Sequence, residues 1–327
     1  MNAEPHLSLP VILLGADAAL AARLQACYAG ISWDKEYRIE PRFLRAAPAD
    51  WRASVPETGR GMVFVEITDS GTVGDSRLIR EIGETNPAMQ IVLLADDGVD
   101  YFQIATDFHI GNVIKKGRFD AGILHALTIR LLTGNIFGFA PYFPNGFTIG
   151  PLYRTYCGRV TIETVIEECF EACKPHVDPE ELSSFRIFMH ELLMNTFSYA
   201  IEGISAEDRD SKLLRPRPEV DIAERRAIKI SLVADHEKVG VSVMDSTGSL
   251  SMLRVLQKLR RQSKIGGEKM PPGIWDESGR GMSMVYRYSR FIVNILTGVR
   301  TETIFLQYHE KELNRFESII ITEVNPF

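Results

Sequence analysis

In the first third of the chain, short apolar runs alternate with stretches of helical period. Residues 11–14, 62–67, 91–95 and 112–114 are continuous apolar runs of the length expected for strands buried on both faces of a parallel sheet. Between them, residues 18–28, 75–85, 98–107 and 119–132 repeat their apolar positions every three to four residues. This alternation predicts a doubly wound α/β domain over residues 1–134.

Beyond Gly134 the period dissolves into NIFGFAPYFPNGFTIGP. Its Gly and Pro density rules out a long regular element, while its aromatic content argues against a loose tether. Residues 135–158 are therefore expected to be a linker that packs against something, either its own domain or an interface. From residue 159 the order of elements changes. Helical patterns at 162–173 and 179–202 come first, and a strongly charged stretch at 205–226 reads as an exposed excursion. The alternating strands AIKISLVAD and KVGVSVMDS follow, then a basic amphipathic helix at 251–261 and a Gly-rich loop. A short helix from Met282 and strands at 291–296 and 302–308 complete the pattern. Helices leading into an antiparallel sheet indicate an α+β domain over 159–327.

Composition agrees with a globular chain: 327 residues, 45% hydrophobic and 24% charged, which is long enough for two cores. A net charge of -6 argues against a nucleic-acid binder, which needs a basic excess to neutralise phosphates. The start of the sequence has no basic leader, so a cytoplasmic location is expected. No charged residue lies between Arg130 and Arg154, yet prolines and glycines there exclude a spanning helix, and no membrane partner is expected. Of the four cysteines none forms a CxxC pair; Cys169 and Cys173 share a helix face and read as core.

Three local patterns carry chemistry. In FRIFMHELLMNTFSYAIEG, Glu191 and Asn195 are four residues apart and project from one helix face. A carboxylate there can polarise a hydroxyl or water, and an amide oxygen can complete the shell of a phosphate-held Mg²⁺. Asp245 ends an alternating strand and opens the turn Asp-Ser-Thr-Gly-Ser-Leu, where Gly248 can admit a ligand to the backbone and the carboxylate can accept from an exocyclic amine. Gly279, Arg280, Gly281 and Met282 precede an apolar helix, where exposed N–H groups favour phosphate.

Taken in this order, the patterns over roughly residues 161–308 resemble the GHKL (Bergerat-fold, histidine-kinase-like) ATP-binding domains. These include histidine kinases, the gyrase and Hsp90 ATPases, and the anti-sigma-factor serine/threonine kinases. The resemblance implies a Bergerat ATP-binding sandwich behind a flavodoxin-like domain. It assigns Glu191 as general base and Asn195 as Mg²⁺ ligand. Asp245 with Gly248 would read adenine, Gly279 to Met282 would form the phosphate loop, and Thr303, or its neighbour Thr301, would be the late nucleotide-contacting threonine. Residues 251–278 fall at the family's mobile lid, whose Arg254, Lys258, Arg260, Arg261 and Lys264 could face phosphate. Two departures stand out: Thr247 occupies a position that is usually glycine, and a long charged insertion follows the ExxxN helix.

The N-terminal pattern resembles a response-regulator receiver. Asp17 sits near its first acidic position and Lys116 fits its lysine. Glu66 stands where the phosphorylated aspartate belongs, and Leu94 or Ala95 where a hydroxyl belongs, with Asp69 three residues beyond Glu66. This implies a pseudo-receiver that serves as an interaction module. No histidine-bearing hairpin fits between Gly134 and Thr161, and His190 reads as structural, so the closest resemblance is to the anti-sigma-type serine/threonine kinases. The expected function is an ATP- and Mg²⁺-binding signalling regulator, kinase-like, acting on a protein partner of an anti-sigma, anti-anti-sigma or response-regulator pathway. Left open are a non-catalytic scaffold, a histidine-kinase-like ATPase whose phospho-acceptor lies on another protein, and a homodimer.

Overall fold

The structure, a computed structural model, describes residues 7–15, 17–31, 33, 39–67, 72–97, 99–197, 219–263 and 280–326. The chain forms two compact units, Met1–Pro144 and Asn145–Phe327, which divide inside the stretch read from sequence as a linker.

In the first unit β1 (Leu7–Leu14), β2 (Ile39–Ala46), β3 (Gly61–Ile67), β4 (Met89–Ala95) and β5 (Asn112–Lys115) lie in the order β2-β1-β3-β4-β5. All these pairings are parallel. The helices are α1 (Ala18–Gly30), α2 (Trp51–Ser54), α3 (Thr72–Thr85), α4 (Phe102–Asp107) and α5 (Ala121–Thr133). Val11 to Leu14, Met62 to Val65 and Val92 to Ala95 are wholly buried, which is why these runs carry no polar alternation. β2 has no counterpart in the sequence reading. It is an edge strand interrupted by Pro41 and charged at Glu40, Arg42 and Arg45, a composition suited to edges and not to apolar runs. α5 begins on an Asp120 cap and ends at Gly134 in the left-handed region. The chain then packs back on it: Phe139, Tyr142 and Phe143 are buried, and buried Arg130 donates to the Tyr142 hydroxyl.

In the second unit the strands are β6 (Ile149–Tyr156), β7 (Gly158–Thr161), β8 (Glu219–Ile222), β9 (Ile228–Ala234), β10 (Lys238–Asp245), β11 (Arg290–Leu296), β12 (Arg300–Tyr308) and β13 (Ile319–Val324). The helices are α6 (Ile162–Cys173), α7 (Leu182–Asn195), α8 (Met252–Gln262), α9 (Arg280–Tyr288) and α10 (Lys311–Asn314). The main sheet runs β13-β11-β12-β10-β9-β6; β13 joins β11 in parallel and every other pairing is antiparallel. β7 and β8 form a separate antiparallel pair. Glu219–Ile222 is therefore a strand and not part of an exposed excursion, because its Val220 and Ile222 alternate inward.

One face of this sheet receives α7. Phe185 and Phe188 meet Phe305 of β12 edge-on, with ring centroids 5.2 and 5.8 Å apart. Each such pair adds about 0.5–1.5 kcal/mol beyond the area it buries. The opposite face holds a buried polar ladder: Ser242 Oγ donates to Glu302 Oε1 at 2.7 Å and Asn294 Nδ2 to Oε2 at 2.9 Å, joining β10, β12 and β11. Among the described residues no helix is long and apolar enough to cross a membrane.

Candidate nucleotide-binding cleft

Helical spacing on α7 carries one face from core to cleft. Phe185 and Phe188 anchor it on Phe305, and the next positions of the stripe, Leu192 and Asn195, line an open cleft. The other wall is the matching face of the sheet. Strand pleating puts Thr301, Thr303 and Phe305 of β12 on that face, with Asp245 and Val243 of β10 opposite them in register. Asp245 is paired directly with Thr301, and Val243 with Thr303. Met282, in the first turn of α9, closes the cleft beside Ser249 and Leu250.

Asp245 is 7% exposed and ends β10 in a tight turn. Its Oδ1 accepts the Thr247 N–H at 2.8 Å, the Thr247 hydroxyl at 2.6 Å and, more weakly, the Gly248 N–H at 3.3 Å. Among the described residues no donor of ordinary geometry reaches Oδ2. The Thr301 hydroxyl, in a residue only 3% exposed, has no partner of ordinary hydrogen-bond geometry and interacts with the Asp245 carboxyl only weakly. Burial pushes the Asp245 carboxyl above the ordinary aspartate range, opposed by hydrogen bonds from Thr247, Gly248 and, least, Thr301. A carboxylate and a buried hydroxyl that lacks a partner of ordinary geometry, adjacent on one cleft wall, form an edge that a ligand can complete.

Gly248 has a different role from the one expected of it. Its φ of +57° favours glycine, and a Cβ there would strike the backbone of Leu296, Gly298 and Val299. It admits the β11–β12 turn, with Gly298 N–H donating to its carbonyl at 3.2 Å, and does not line the cleft.

Glu191 and Asn195 share α7 but not surroundings. Asn195 lines the cleft; the Glu191 carboxylate packs against Gly281, where a Cβ would overlap it. His190 is half-exposed, its Nδ1 4.0 Å from Glu191 Oε1. Gly279, Asp69 and Lys264 lie outside the described residues, as do most of the lid positions and the insertion up to residue 218. Arg280 is the first residue of α9, and its side chain is likewise outside them. Of the basic lid residues, Arg254, Lys258, Arg260 and Arg261 lie on α8, which contributes no side chain to the cleft. Leu192 and Thr196 line the cleft without having been singled out from sequence. Their only signal was position, one residue after each member of the Glu191–Asn195 pair.

At the C-terminal ends of β3, β4 and β5 in the first unit, Lys116 Nζ is 2.8 Å from Glu66 Oε1 and 2.8 Å from Asp96 Oδ2. Burial by itself lowers the Lys116 ammonium, but the hydrogen bonds and charges of Asp96 and Glu66 outweigh it and leave it raised. Glu66 Oε2 lies over Gly15 at the β1–α1 turn. Asp17 does not join this cluster as an acidic site residue; its Oδ1 caps α1, accepting from Ala19 N at 2.8 Å and Leu20 N at 3.0 Å. The Leu20 hydrogen bond holds its carboxyl below the usual range. Asp96, beyond the strand-four position where a hydroxyl was sought, is the acidic member that the sequence reading did not name.

Among the described residues no group of three or more His, Cys, Asp or Glu side chains is placed to hold a metal ion. No protein-family model matches the chain, and comparison with curated proteins gives no match.

Proposed function

We propose that the second unit is an ATP-binding module of the GHKL type, within a cytoplasmic signalling regulator resembling the anti-sigma serine/threonine kinases. The observation that carries this reading is the Asp245 carboxylate beside the buried Thr301 hydroxyl, which lacks a partner of ordinary hydrogen-bond geometry, on one cleft wall. An acceptor beside a hydroxyl matches the amine and ring nitrogen on one edge of adenine. Apolar Leu192, Leu250 and Met282 supply faces for the ring. Asn195, on the same cleft, is the residue that would hold Mg²⁺, whose remaining ligands would be phosphate and water oxygens; when bound, the ion neutralises phosphate charge. Glu191, four residues before it on α7 and packed against Gly281 at the start of α9, would orient a partner's Ser/Thr hydroxyl as general base. Gly279 to Met282 would cradle phosphate in this reading, with Thr303 contacting nucleotide.

The first unit is, in the same proposal, a pseudo-receiver that binds protein and takes no phosphate. Its support is the Lys116 bridge between Glu66 and Asp96, which occupies the lysine with carboxylates. Its strand order β2-β1-β3-β4-β5 is that of flavodoxin-like sheets. Partners would be anti-sigma, anti-anti-sigma or response-regulator pathway proteins.

Calorimetric titration with ATP and Mg²⁺, alongside GTP, tests the module. Binding of ATP by the wild type, lost in Asp245→Asn, is the expected result; no ATP binding by the wild type removes the proposal. A second reading, a non-catalytic scaffold, is favoured by the packing of Glu191 on Gly281 outside the cleft-lining set. Transfer of labelled phosphate from ATP to a protein partner would eliminate it.

A further inference from the structure

Thr247 stands where the resembled family has glycine, and the structure gives its hydroxyl a specific place. An Asx turn at Asp245 needs only backbone donors, and both are present, from Thr247 N and Gly248 N. The Thr247 hydroxyl is additional: it lies 2.6 Å from Asp245 Oδ1 and 3.1 Å from Ser249 Oγ. The shorter bond, to a carboxylate, takes the Thr247 proton, so Ser249 must donate to Thr247. A relay therefore runs from Ser249 through Thr247 to Asp245 Oδ1.

We propose that Thr247 is a positioning residue for nucleobase recognition: its hydroxyl pins Oδ1 of Asp245, so that Oδ2, beside the Thr301 hydroxyl, is the oxygen presented to the base. This rests on the reading of the cleft as an ATP site. Among the described residues, the polar side chains lining the cleft with Asp245 are uncharged: Asn195 and Thr196 from α7, Thr301 and Thr303 from β12, and Ser249 from the turn. Leu192, Leu250 and Met282 complete the cleft without a charge, and Glu191 of α7 lies against Gly281 instead. Among the described residues Asp245 is thus the titratable group that lines the cleft. Its carboxyl is raised by burial, and the Thr247 hydroxyl counteracts that rise. Removing the hydroxyl both frees the carboxyl to rotate and favours its protonated form, which no longer presents two acceptors.

The test is ATP–Mg²⁺ titration of the full chain from pH 5 to pH 8 for wild type, Thr247→Val, Thr247→Ala and Thr247→Ser, with circular dichroism of each. Loss of one charge-assisted hydrogen bond predicts an affinity about tenfold weaker at pH 7 in the Val and Ala variants. In both, the acid-side loss of binding moves to higher pH, and the Ser variant restores affinity and profile together. The Ala variant keeps the backbone donor and has the smaller side chain, so it reports even if Val disturbs the turn. Wild-type binding with unchanged affinity and pH profile in the folded variants overturns the positioning role alone. Failure of the wild type to bind ATP at any pH overturns the ATP reading and this role with it.

Discussion

The carboxylate of Glu191 lies against the Cα of Gly281, so close that a Cβ at position 281 would overlap its Cδ and Oε2. Gly281 is in the first turn of α9, where a negative side chain meets the positive end of the helix dipole. The ExxxN helix and the start of α9, far apart in sequence, thus touch through one carboxylate and one missing side chain.

The contact makes a double-mutant prediction. Gly281→Ala costs about 1–3 kcal/mol by overpacking. In a Glu191→Ala background the clash is gone, and the helical preference of Ala over Gly makes the same change stabilising by up to about 1 kcal/mol. Urea unfolding of the four proteins measures the cycle. Strict additivity would mean that the two residues do not meet.

Gly248 and Gly298 both have positive φ but differ in surroundings. A Cβ at 248 meets backbone atoms of the β11–β12 turn, which cannot rotate away; a Cβ at 298 meets nothing within 4 Å. Gly298→Ala is therefore expected to cost about 1–2 kcal/mol from dihedral strain alone. Gly248→Ala should cost clearly more, about 3 kcal/mol or above. Denaturant midpoints compare them directly, and equal costs would contradict the packing of Gly248 on that turn.

Asp245→Asn separates binding from stability. Burial raises the Asp245 pKa in the fold, so its contribution to stability is fully present below the unfolded value of 3.8 and is lost as pH rises through the folded value. At pH 7 the ionised carboxylate is a cost that Asn does not carry, and the Asn carbonyl can still accept from Thr247. The apo variant should unfold at or above the wild-type temperature at pH 7, while added ATP–Mg²⁺ raises the melting temperature of the wild type only. Thermal melts with and without nucleotide check both halves.

Lys116→Met should destabilise the first unit by about 2 kcal/mol, because it strands the nearly buried Glu66 carboxylate. The Lys116 pKa is raised above 10.5 in the fold, so the bridge contributes in full below that value and is lost as pH climbs through the folded one. The wild-type advantage should hold between pH 6 and pH 9 and close only in strong alkali. Urea unfolding at a series of pH values measures it, and a gap that closes below pH 9 would contradict the bridge.

How much was legible in the sequence varied with the physics of each element. Buried central strands such as Gly61–Ile67 and Met89–Ala95 announce themselves because both faces are apolar. Edge strand Ile39–Ala46 does not, since its exposure allows proline and charge, and the partly exposed Ile149–Tyr156 hid in a Gly/Pro-rich stretch for the same reason. Ile319–Val324 is apolar enough to have been found and was not. In the cleft, Asn195, Asp245 and Met282 were named from spacing, turn chemistry and a glycine-flanked helix start, and Thr303 from the family resemblance; one cleft unites them. Spacing could not tell that Gly248 serves a neighbouring turn, nor that Asp17 is used up as a cap. Both facts depend on which chain segment or helix end happens to be near, and that is a tertiary property.

The two faces of β12 impose different demands on consecutive residues. Thr301 and Thr303 look toward the cleft, whereas Glu302 between them is locked to Ser242 and Asn294 on the other side. Sliding β12 by one residue would bring a carboxylate into the cleft and bury two threonines where the ladder needs an acid. The ladder therefore acts as a ratchet tooth for the whole cleft wall. Over time this strand can change its side chains one at a time, but it cannot gain or lose a single residue without exchanging the insides of both faces.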